Sequence, residues 1–507
     1  MYDIILFTDV TDTVFIAKPM GAYKCAYELR KHGFSCLVVD HFSSFSESEI
    51  IDLLKSSMNE STLIVGVSNT FLKNTDVEPE EGKPVYYETL GESSFMPQAS
   101  KGSKLEEVFG KMIKSINHNC KIIVGGSKTH QNYRNKFVSA VFLGMAEDSI
   151  VKYAKAVRDG TPTAGYKNIW GITVIKTMSD EGYDFNNSSM VWEYSDVLNT
   201  KVLPFEIARG CIFKCKFCAY PMNGKESFDY IRSKELMIRD LQSNYDQFGI
   251  LSYYIIDDTF NDSEFKLNMM LDVVRSLTFK PIFWAYIRLD LIARNLKTAD
   301  MLHEIGIRSY FFGIETMHPG AGRAIGKGYS RDKMKKAISY IKEKYPETLL
   351  HGSFIVGLPN DSLESNFDTF NQLMSREIQL DSFIFNGLRL YNTDFTTWDS
   401  ELTLNYSKYG YEKIEETDPE RIEINWKNNY VTRDEADRMA NEFTMQGRNS
   451  DFFKFPGNDA WSLLNYGYSF LEVQQIKYKD ADWHSYSNAH LALTNEYKRK
   501  LFEFLKS

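Results

Sequence analysis

Cys211, Cys215 and Cys218 stand in the run Arg209-Gly-Cys-Ile-Phe-Lys-Cys-Lys-Phe-Cys-Ala-Tyr, a C-x3-C-x2-C spacing with an aromatic before the last cysteine. Thiolates are the ligands of iron–sulfur clusters. Three of them on one tight loop can hold three irons of a [4Fe-4S] cube and leave the fourth iron open to chemistry. The competing use of such a loop is a structural zinc site. Zinc prefers four nitrogen or sulfur ligands in a closed shell. No fourth Cys or His lies near the triad, and the nearest histidine in sequence, His303, is far downstream.

The whole chain narrows what surrounds this loop. Its 507 residues predict about two to four domains. The net charge of −9 provides no basic field to recruit nucleic acid, which makes that partner unlikely on composition. No apolar run has transmembrane length, and the Met-Tyr-Asp-Ile-Ile-Leu-Phe start has no signal-peptide pattern, so a cytoplasmic protein without a membrane partner is expected. With six cysteines, three of them in the triad, a disulfide framework is not expected.

The first 160 residues alternate strand and helix. Apolar runs at Ile4–Phe7, Cys36–Asp40, Leu63–Ser68, Lys121–Gly126 and Val138–Leu143 read as buried strands. Gly21–His32, Ser46–Met58, Leu105–Ile116 and Glu147–Val157 read as helices, and a polar insertion covers about 73–102. This alternation predicts a doubly wound, Rossmann-like α/β domain at 1–160. Residues 161–200 look irregular and are read as a connector.

A second alternation starts at the triad and spans 201–398. Its expected strands are Leu203–Ala208, Ser252–Asp257, Pro281–Ile287, Arg308–Ile314, Leu349–Val356 and Ser382–Asn386. Ser233, Asp262 and Asp361 are the expected helix-start signals between them. Six strand–helix repeats predict an open, partial (β/α)6 barrel, whose sites gather at the carboxyl ends of the strands. The remainder, 399–507, is rich in Tyr, Asn and Trp and is read as a small helical or α+β cap, with a capping box at Thr432-x-x-Glu435. Its Trp426, Trp461, Tyr466, Tyr468 and Trp483 are read as pocket wall or as plain core.

From the triad to about residue 395 the chain resembles a radical S-adenosylmethionine (SAM) enzyme of the type with an N-terminal cobalamin-binding module. Besides the triad, the resemblance rests on Ile255-Ile-Asp-Asp-Thr-Phe, Gly313-Ile-Glu-Thr, Gly326-Lys-Gly-Tyr-Ser and Ser353-Phe-Ile-Val-Gly-Leu-Pro-Asn, in that order. It implies a [4Fe-4S] cluster on Cys211, Cys215 and Cys218 that reduces bound SAM to a 5′-deoxyadenosyl radical. It further implies that Glu315 and Ser353 bond the SAM ribose hydroxyls or nearby polar groups, that Lys327 pairs with its carboxylate, and that Arg288 is a second candidate for the carboxylate or for the substrate. Asp257 and Asp258 would then receive its amino group, and Phe217 would pack on adenine. Solvated charges at Lys327 and Arg288, and a structural ion pair at Glu315, are the alternatives.

The first domain resembles a cobalamin-binding module through Val67-Ser68-Asn-Thr70, Val124-Gly125-Gly126 and Gly144-x-x-Glu147. Ser68, Thr70, Gly125 and Gly126 are its candidate contacts, ordinary tight turns being the alternative for the glycines. The Asp-x-His-x-x-Gly element that supplies an axial histidine in other cobalamin proteins is replaced here by Pro19-Met-Gly21-Ala-Tyr. Cys25, Cys36 and Cys120 do not match the second-cluster cysteines of radical SAM methylthiotransferases and read as core. His130, His351, His484 and His490 receive no role.

The resemblance makes the expected function radical SAM catalysis, with cobalamin-dependent C-methylation as the leading reaction. Alternatives are rearrangement, cyclisation or oxidation with a degenerate first domain, or a non-catalytic iron–sulfur electron carrier or sensor. The expected partners are a small-molecule or peptide substrate and a reductant such as flavodoxin or ferredoxin.

Overall fold

The computed structural model describes residues 1–9, 18–69, 104–126, 129, 131, 133, 135–177, 183–220, 222–328, 330–391, 399–414 and 423–507. Thr70, His130 and the polar insertion lie outside them. The chain forms two compact units. The first comprises Met1–Asp184, Met190–Thr200 and Trp483–Ser507; the second comprises Phe185–Ser189 and Lys201–Asp482.

The first unit is built on seven strands: β1 (Ile4–Phe7), β2 (Cys36–Val39), β3 (Ile64–Ser68), β4 (Lys121–Gly125), β5 (Val138–Gly144), β6 (Tyr166–Lys167) and β7 (Thr173–Thr177). Their order is β2-β1-β3-β4-β5-β7-β6, and all neighbours are parallel except β6 and β7. Apolar side chains such as Ile5, Leu37, Val65 and Val141 are fully buried, as expected for a sheet covered on both faces. The crossover helices are α1 (Met20–Lys31), α2 (Glu47–Ser57), α3 (Lys104–Ile116) and α4 (Glu147–Asp159). Ser46 starts α2 with a reciprocal capping box to Glu49.

The stretch read as an irregular connector holds β6 and β7. The run Thr173–Thr177 is short and flanked by polar turn residues, so its apolar signal is weak, yet β7 extends the sheet beside β5. Cys36 and Cys120 are buried core residues, 3 % and 0 % exposed, and burial pushes both thiols up to about 12. Cys25 lies in α1.

The second unit holds β8 (Val202–Phe205), β9 (Ser252–Ile255), β10 (Ile282–Ile287), β11 (Ile307–Glu315), β12 (Leu349–Val356) and β13 (Ser382–Gly387). They lie side by side in chain order, all parallel. The helices between and after them are α5 (Lys234–Phe248), α6 (Glu264–Arg275), α7 (Leu289–Arg294), α8 (Lys297–Ile305), α9 (Pro319–Ala324), α10 (Arg331–Lys344), α11 (Leu363–Met374), α12 (Glu401–Leu404) and α13 (Arg433–Arg448). This is the expected run of strand–helix repeats. The caps of α6 and α11 are Ser263 and Ser362, one residue beyond the expected Asp262 and Asp361. Both aspartates are engaged elsewhere: Asp262 accepts from the Tyr230 hydroxyl (2.7 Å) and Asp361 from Thr316 (3.0 Å).

The final stretch divides. Helix α14 (Gly457–Asn465) touches β8 through β12, with Trp461 donating to the Tyr253 carbonyl (2.8 Å) and Asn465 accepting from the Lys201 N–H (2.8 Å). Trp461 and Trp426 are 2 % and 0 % exposed and are core. After α15 (Phe470–Val473), the terminal helix α16 (Trp483–Lys506) belongs to the first unit. Tyr497 and Leu501 join that unit's core, and the Tyr497 hydroxyl accepts from the Asp40 N–H (2.8 Å). No helix among the described residues is long and apolar enough to cross a membrane.

Candidate functional site: a cysteine-walled cavity at the carboxyl edge of the second sheet

The chain leaves β8 at Phe205 and turns straight into the cysteine loop. Gly210, at φ +139°, stands where a Cβ would lie 2.9 Å from the Lys225 side chain, so glycine is required. The loop then closes on itself. Cys211 N–H donates to Met222 O (3.2 Å), Lys225 N–H to Cys211 O (3.0 Å), Gly224 N–H to Phe213 O (3.0 Å) and Cys218 N–H to Cys215 O (3.1 Å). All three cysteines are free thiols lining one cavity of about 220 Å³. Burial raises the thiols of Cys211 and Cys218, opposed by the N–H groups of Phe213 and Tyr220. A metal would have to displace those protons, since it binds the thiolate.

The donor set fits a cube better than a single ion. A cube takes its three thiolates on three different irons, so the sulfurs line a wall. Among the described residues no three His, Cys, Asp or Glu side chains converge on one point as a zinc ion requires.

The predicted SAM residues separate into cavity wall and support. Asp257 is support. It is 2 % exposed, and its carboxylate accepts the N–H groups of Ile207 (2.9 Å) and Ala208 (3.0 Å) and pairs with Lys266 (2.8 Å). It thereby fastens the entry of the cysteine loop to the end of β9. Lys266 is itself fully buried and donates to Thr259 O (2.9 Å). Asp258, the next residue, opens onto the cavity. The protein walls around it push its carboxyl up to about 7, with the negative charge of Asp257 adding to the desolvation.

Arg288 follows β10 and is a buried group rather than a solvated charge. Its guanidinium lies 3.8 Å over the Phe213 ring, makes two 2.9 Å bonds to Asp290, and reaches 3.5 Å from Cys215 Sγ. Glu315 ends β11 at φ +66°, a left-handed conformation that costs a non-glycine residue about 1–3 kcal/mol. A register shift between Gly313 and Glu315 accompanies it and brings the carboxylate to Lys327 at 2.8 Å. Lys327 also donates to Gly313 O (2.8 Å) and lies 5.4 Å from the Phe217 ring centroid. A Cβ on Gly313 would meet both partners, at 2.8 Å from Glu315 and 2.9 Å from Lys327. Phe217 and Ser353 complete the predicted wall.

Sequence reading did not single out Tyr220, Asn223, Thr259, Tyr286 or Phe311, which also line the cavity. Tyr286 and Phe311 meet edge to face at 5.0 Å. They are register partners on β10 and β11. On β11 Phe311, Gly313 and Glu315 line the cavity at every second position, so strand parity was the signal that could have found Phe311.

In the first unit, Ser68 and Gly125 are level neighbours at the carboxyl ends of β3 and β4, and Gly126 follows at φ +105°. This edge contains the point where strand order reverses, between β1 and β3, which is where ligands of such sheets bind. Four side-chain oxygens buried there, Thr8 Oγ1, Asp40 Oδ1, Asn69 Oδ1 and Thr129 Oγ1, have no hydrogen-bond partner. A polar ligand edged with hydrogen-bonding groups, as cobalamin is, fits that set.

Comparison with known proteins follows the same division. Residues 205–373 match the radical SAM superfamily. An uncharacterised methyltransferase of Pyrococcus horikoshii is 30 % identical over 220 residues, covering 41 % of this chain and 45 % of that protein. The bacteriochlorophyllide d C-12(1)-methyltransferase of Chlorobaculum tepidum is 22 % identical, over 41 % of this chain and 44 % of its own. The chain therefore spans less than half the length of these two curated relatives. Among solved structures, the radical SAM methyltransferase TsrM of Kitasatospora setae, with cobalamin and a [4Fe-4S] cluster bound, aligns at TM-score 0.65 and 13 % identity over 99 % of this chain and all of its own. The cobalamin-dependent SAM radical enzyme OxsB aligns at 0.58 and 12 % identity, over 99 % of this chain and 80 % of its own. At these identities the likeness to both structures is one of fold. The cysteine loop and the cavity it walls, within residues 205–373, are a radical SAM domain.

Proposed function

We propose that the protein is a radical SAM enzyme that transfers a methyl group to a carbon of its substrate with the help of a corrinoid. The observation that carries this reading is the gathering of three cysteine thiols, the Glu315–Lys327 pair, Asp258 and Arg288 around one cavity. Cys211, Cys215 and Cys218 would hold a [4Fe-4S] cluster, which when reduced would supply the one-electron chemistry that converts SAM to methionine and a 5′-deoxyadenosyl radical. That radical takes a hydrogen atom from a substrate C–H bond, leaving 5′-deoxyadenosine and a substrate carbon radical. The carboxyl edge of the first sheet would hold a corrinoid, which would supply the transferable methyl group, drawn from a second SAM, with a low-potential electron donor restoring the corrinoid.

The chain's own residues bind and orient. Lys327 meets the SAM carboxylate as a point charge, and Glu315, now shared, receives ribose hydroxyls. Ser353 adds a further hydroxyl and Phe217 an aromatic face for adenine. Asp258 takes the ammonium of SAM, which also relieves the like charge of Asp257. Asp257 keeps the cysteine loop in place. Arg288, stacked on Phe213, brings a fixed positive charge to within 3.5 Å of Cys215 Sγ. Tyr286 and Phe311 give the cavity an aromatic wall. Ser68, Gly125 and Gly126, with Thr70, serve the corrinoid. A small-molecule or peptide substrate and a low-potential donor such as flavodoxin or ferredoxin complete the reading.

The test is anaerobic reconstitution with iron and sulfide, followed by SAM and dithionite. Iron content near four per chain and release of 5′-deoxyadenosine are expected. A loaded cluster that yields no 5′-deoxyadenosine, or one zinc in place of iron, overturns the reading.

A further inference from the structure

The carboxyl edge of the first sheet holds buried polar atoms that the fold itself does not use. Thr8 follows β1 and is 0 % exposed; Thr129 lies beyond β4 and is 3 % exposed. Asn69 follows β3. Their backbones are engaged: Thr8 N–H donates to Val39 O (2.9 Å), Asn69 N–H to Gly125 O (2.8 Å) and Thr129 N–H to Gly126 O (3.0 Å). Their side-chain oxygens, in contrast, have no partner. A buried polar atom without a hydrogen bond costs about 1–3 kcal/mol, and such a group is satisfied by an ordered water or by a ligand; a cluster of them at one sheet edge favours a ligand. Thr8 and Asn69 flank the β1/β3 reversal, and Thr129 continues the row beside β4.

The charges around the row choose the ligand. Asp9 and Asp40, at the ends of β1 and β2, are 2 % and 0 % exposed. Helix α4 begins with Glu147 and Asp148, so its N-terminus already carries negative charge. The buried ammonium of Lys18 is held by Asp40 at 2.5 Å. Among the described residues nothing in this set invites a phosphate. Two hydroxyls and an amide carbonyl instead suit a ligand edge made of primary amides, each with two donors and an acceptor.

We infer that Thr8, Asn69 and Thr129 bind the peripheral amide groups of a corrinoid, and that this edge recognises the corrin ring rather than a nucleotide phosphate. The inference rests on the corrinoid part of the proposed function and adds to it residues that sequence reading did not single out.

The experiment measures retention and affinity by visible absorption, with full-length protein and three probes: hydroxocobalamin, dicyanocobinamide, which has the amides but no nucleotide, and flavin mononucleotide. The wild type is expected to hold both corrinoids with comparable affinity and not to hold the flavin. A double Thr8→Val, Thr129→Val variant is expected to bind both corrinoids at least about tenfold more weakly. Its ligand-free Tm is expected to stay or rise, because each change removes an unpaired buried hydroxyl. The Thr8→Ser, Thr129→Ser variant, which keeps the hydroxyls, should bind as the wild type does. A wild type that retains neither corrinoid overturns the corrinoid reading and this inference together. Retention by the wild type with equal affinity in the valine variant overturns this inference alone, as does tight flavin binding. A lowered ligand-free Tm in the valine variant, unrescued by serine, makes the hydroxyls structural and overturns it as well.

Discussion

At the carboxyl edge of the second sheet three charged side chains are ion-paired before any ligand arrives, while Asp258 opens onto the cavity. Lys327 holds Glu315, Asp290 holds Arg288, and Lys266 holds Asp257. At the carboxyl edge of the first sheet four buried oxygens, three of them on neutral side chains, stand without hydrogen-bond partners. The two edges solve different problems. A site for a charged, reactive ligand needs fixed charges that do not reorganise during reaction. A site for a large, amide-edged ligand can leave neutral groups waiting, because each such atom costs far less than an unpaired buried charge.

The contrast is sharpest in the cysteines. Cys218→Ala removes one of the three proposed iron ligands, so cluster absorption and 5′-deoxyadenosine formation are expected to fall to background after reconstitution. Corrinoid retention in the same variant should be unchanged. If it is lost as well, the two edges are not independent sites.

Lys266→Met probes the cost of partnered charge. It leaves Asp257 buried beside Asp262 with no ammonium, and urea unfolding is expected to show a loss of about 3–5 kcal/mol. A loss below about 1 kcal/mol would mean that Asp257 does not need its ion pair. Lys327→Met should weaken SAM binding by about tenfold or more, read by equilibrium dialysis, because a charge-assisted contact is removed. Unchanged SAM affinity would return Lys327 to a purely structural partner of Glu315.

Acid should distinguish the two sheets more gently. His351, on β12, is 2 % exposed with its Nδ1 2.9 Å from Ser382 Oγ, and burial lowers its pKa to about 3. An unfolded histidine titrates near about 6.5. Below that pH the unfolded chain takes a proton that the folded one refuses, so stability falls as pH drops towards 3. Between pH 6.5 and 5 the loss should reach about 2 kcal/mol, and His351→Gln should remove it. A variant as acid-labile as the wild type would place the lability elsewhere.

The smallest effects should be equal in the two units, because they are local. Ser46 and Thr432 each form a capping box, one in each unit. Ser46→Ala and Thr432→Ala should each cost about 1 kcal/mol.

Much of this was legible in the chain. β12 falls on its expected bounds, and the Thr432 box forms as its spacing predicts, because both depend on neighbours a few residues away. The cysteine loop is legible for the same reason. The one-residue displacement of the caps at Ser263 and Ser362 was not, since it depends on Tyr230 and Thr316, distant in sequence, claiming the aspartates. Strand β7 was missed because its apolar run is short and its place is fixed by β5. The support role of Asp257 was hidden because Asp257 and Asp258 look alike in sequence, and only the pleat and turn after β9 send one inward and one into the cavity.

By itself the sequence determined the chemistry: three thiolates at fixed spacing, two alternations of strand and helix, and the order of the elements after the triad. Tertiary structure alone decided three things: which charges face the cavity and which hold it together, that helix α16 closes on the first unit, and that Thr8, Asn69 and Thr129 share one edge. The physical reason is range. Ligand spacing, caps and periodicity are short-range properties written over a few residues. Partnership among buried groups is set by which strands become neighbours, and strand order is fixed only when the whole sheet has packed.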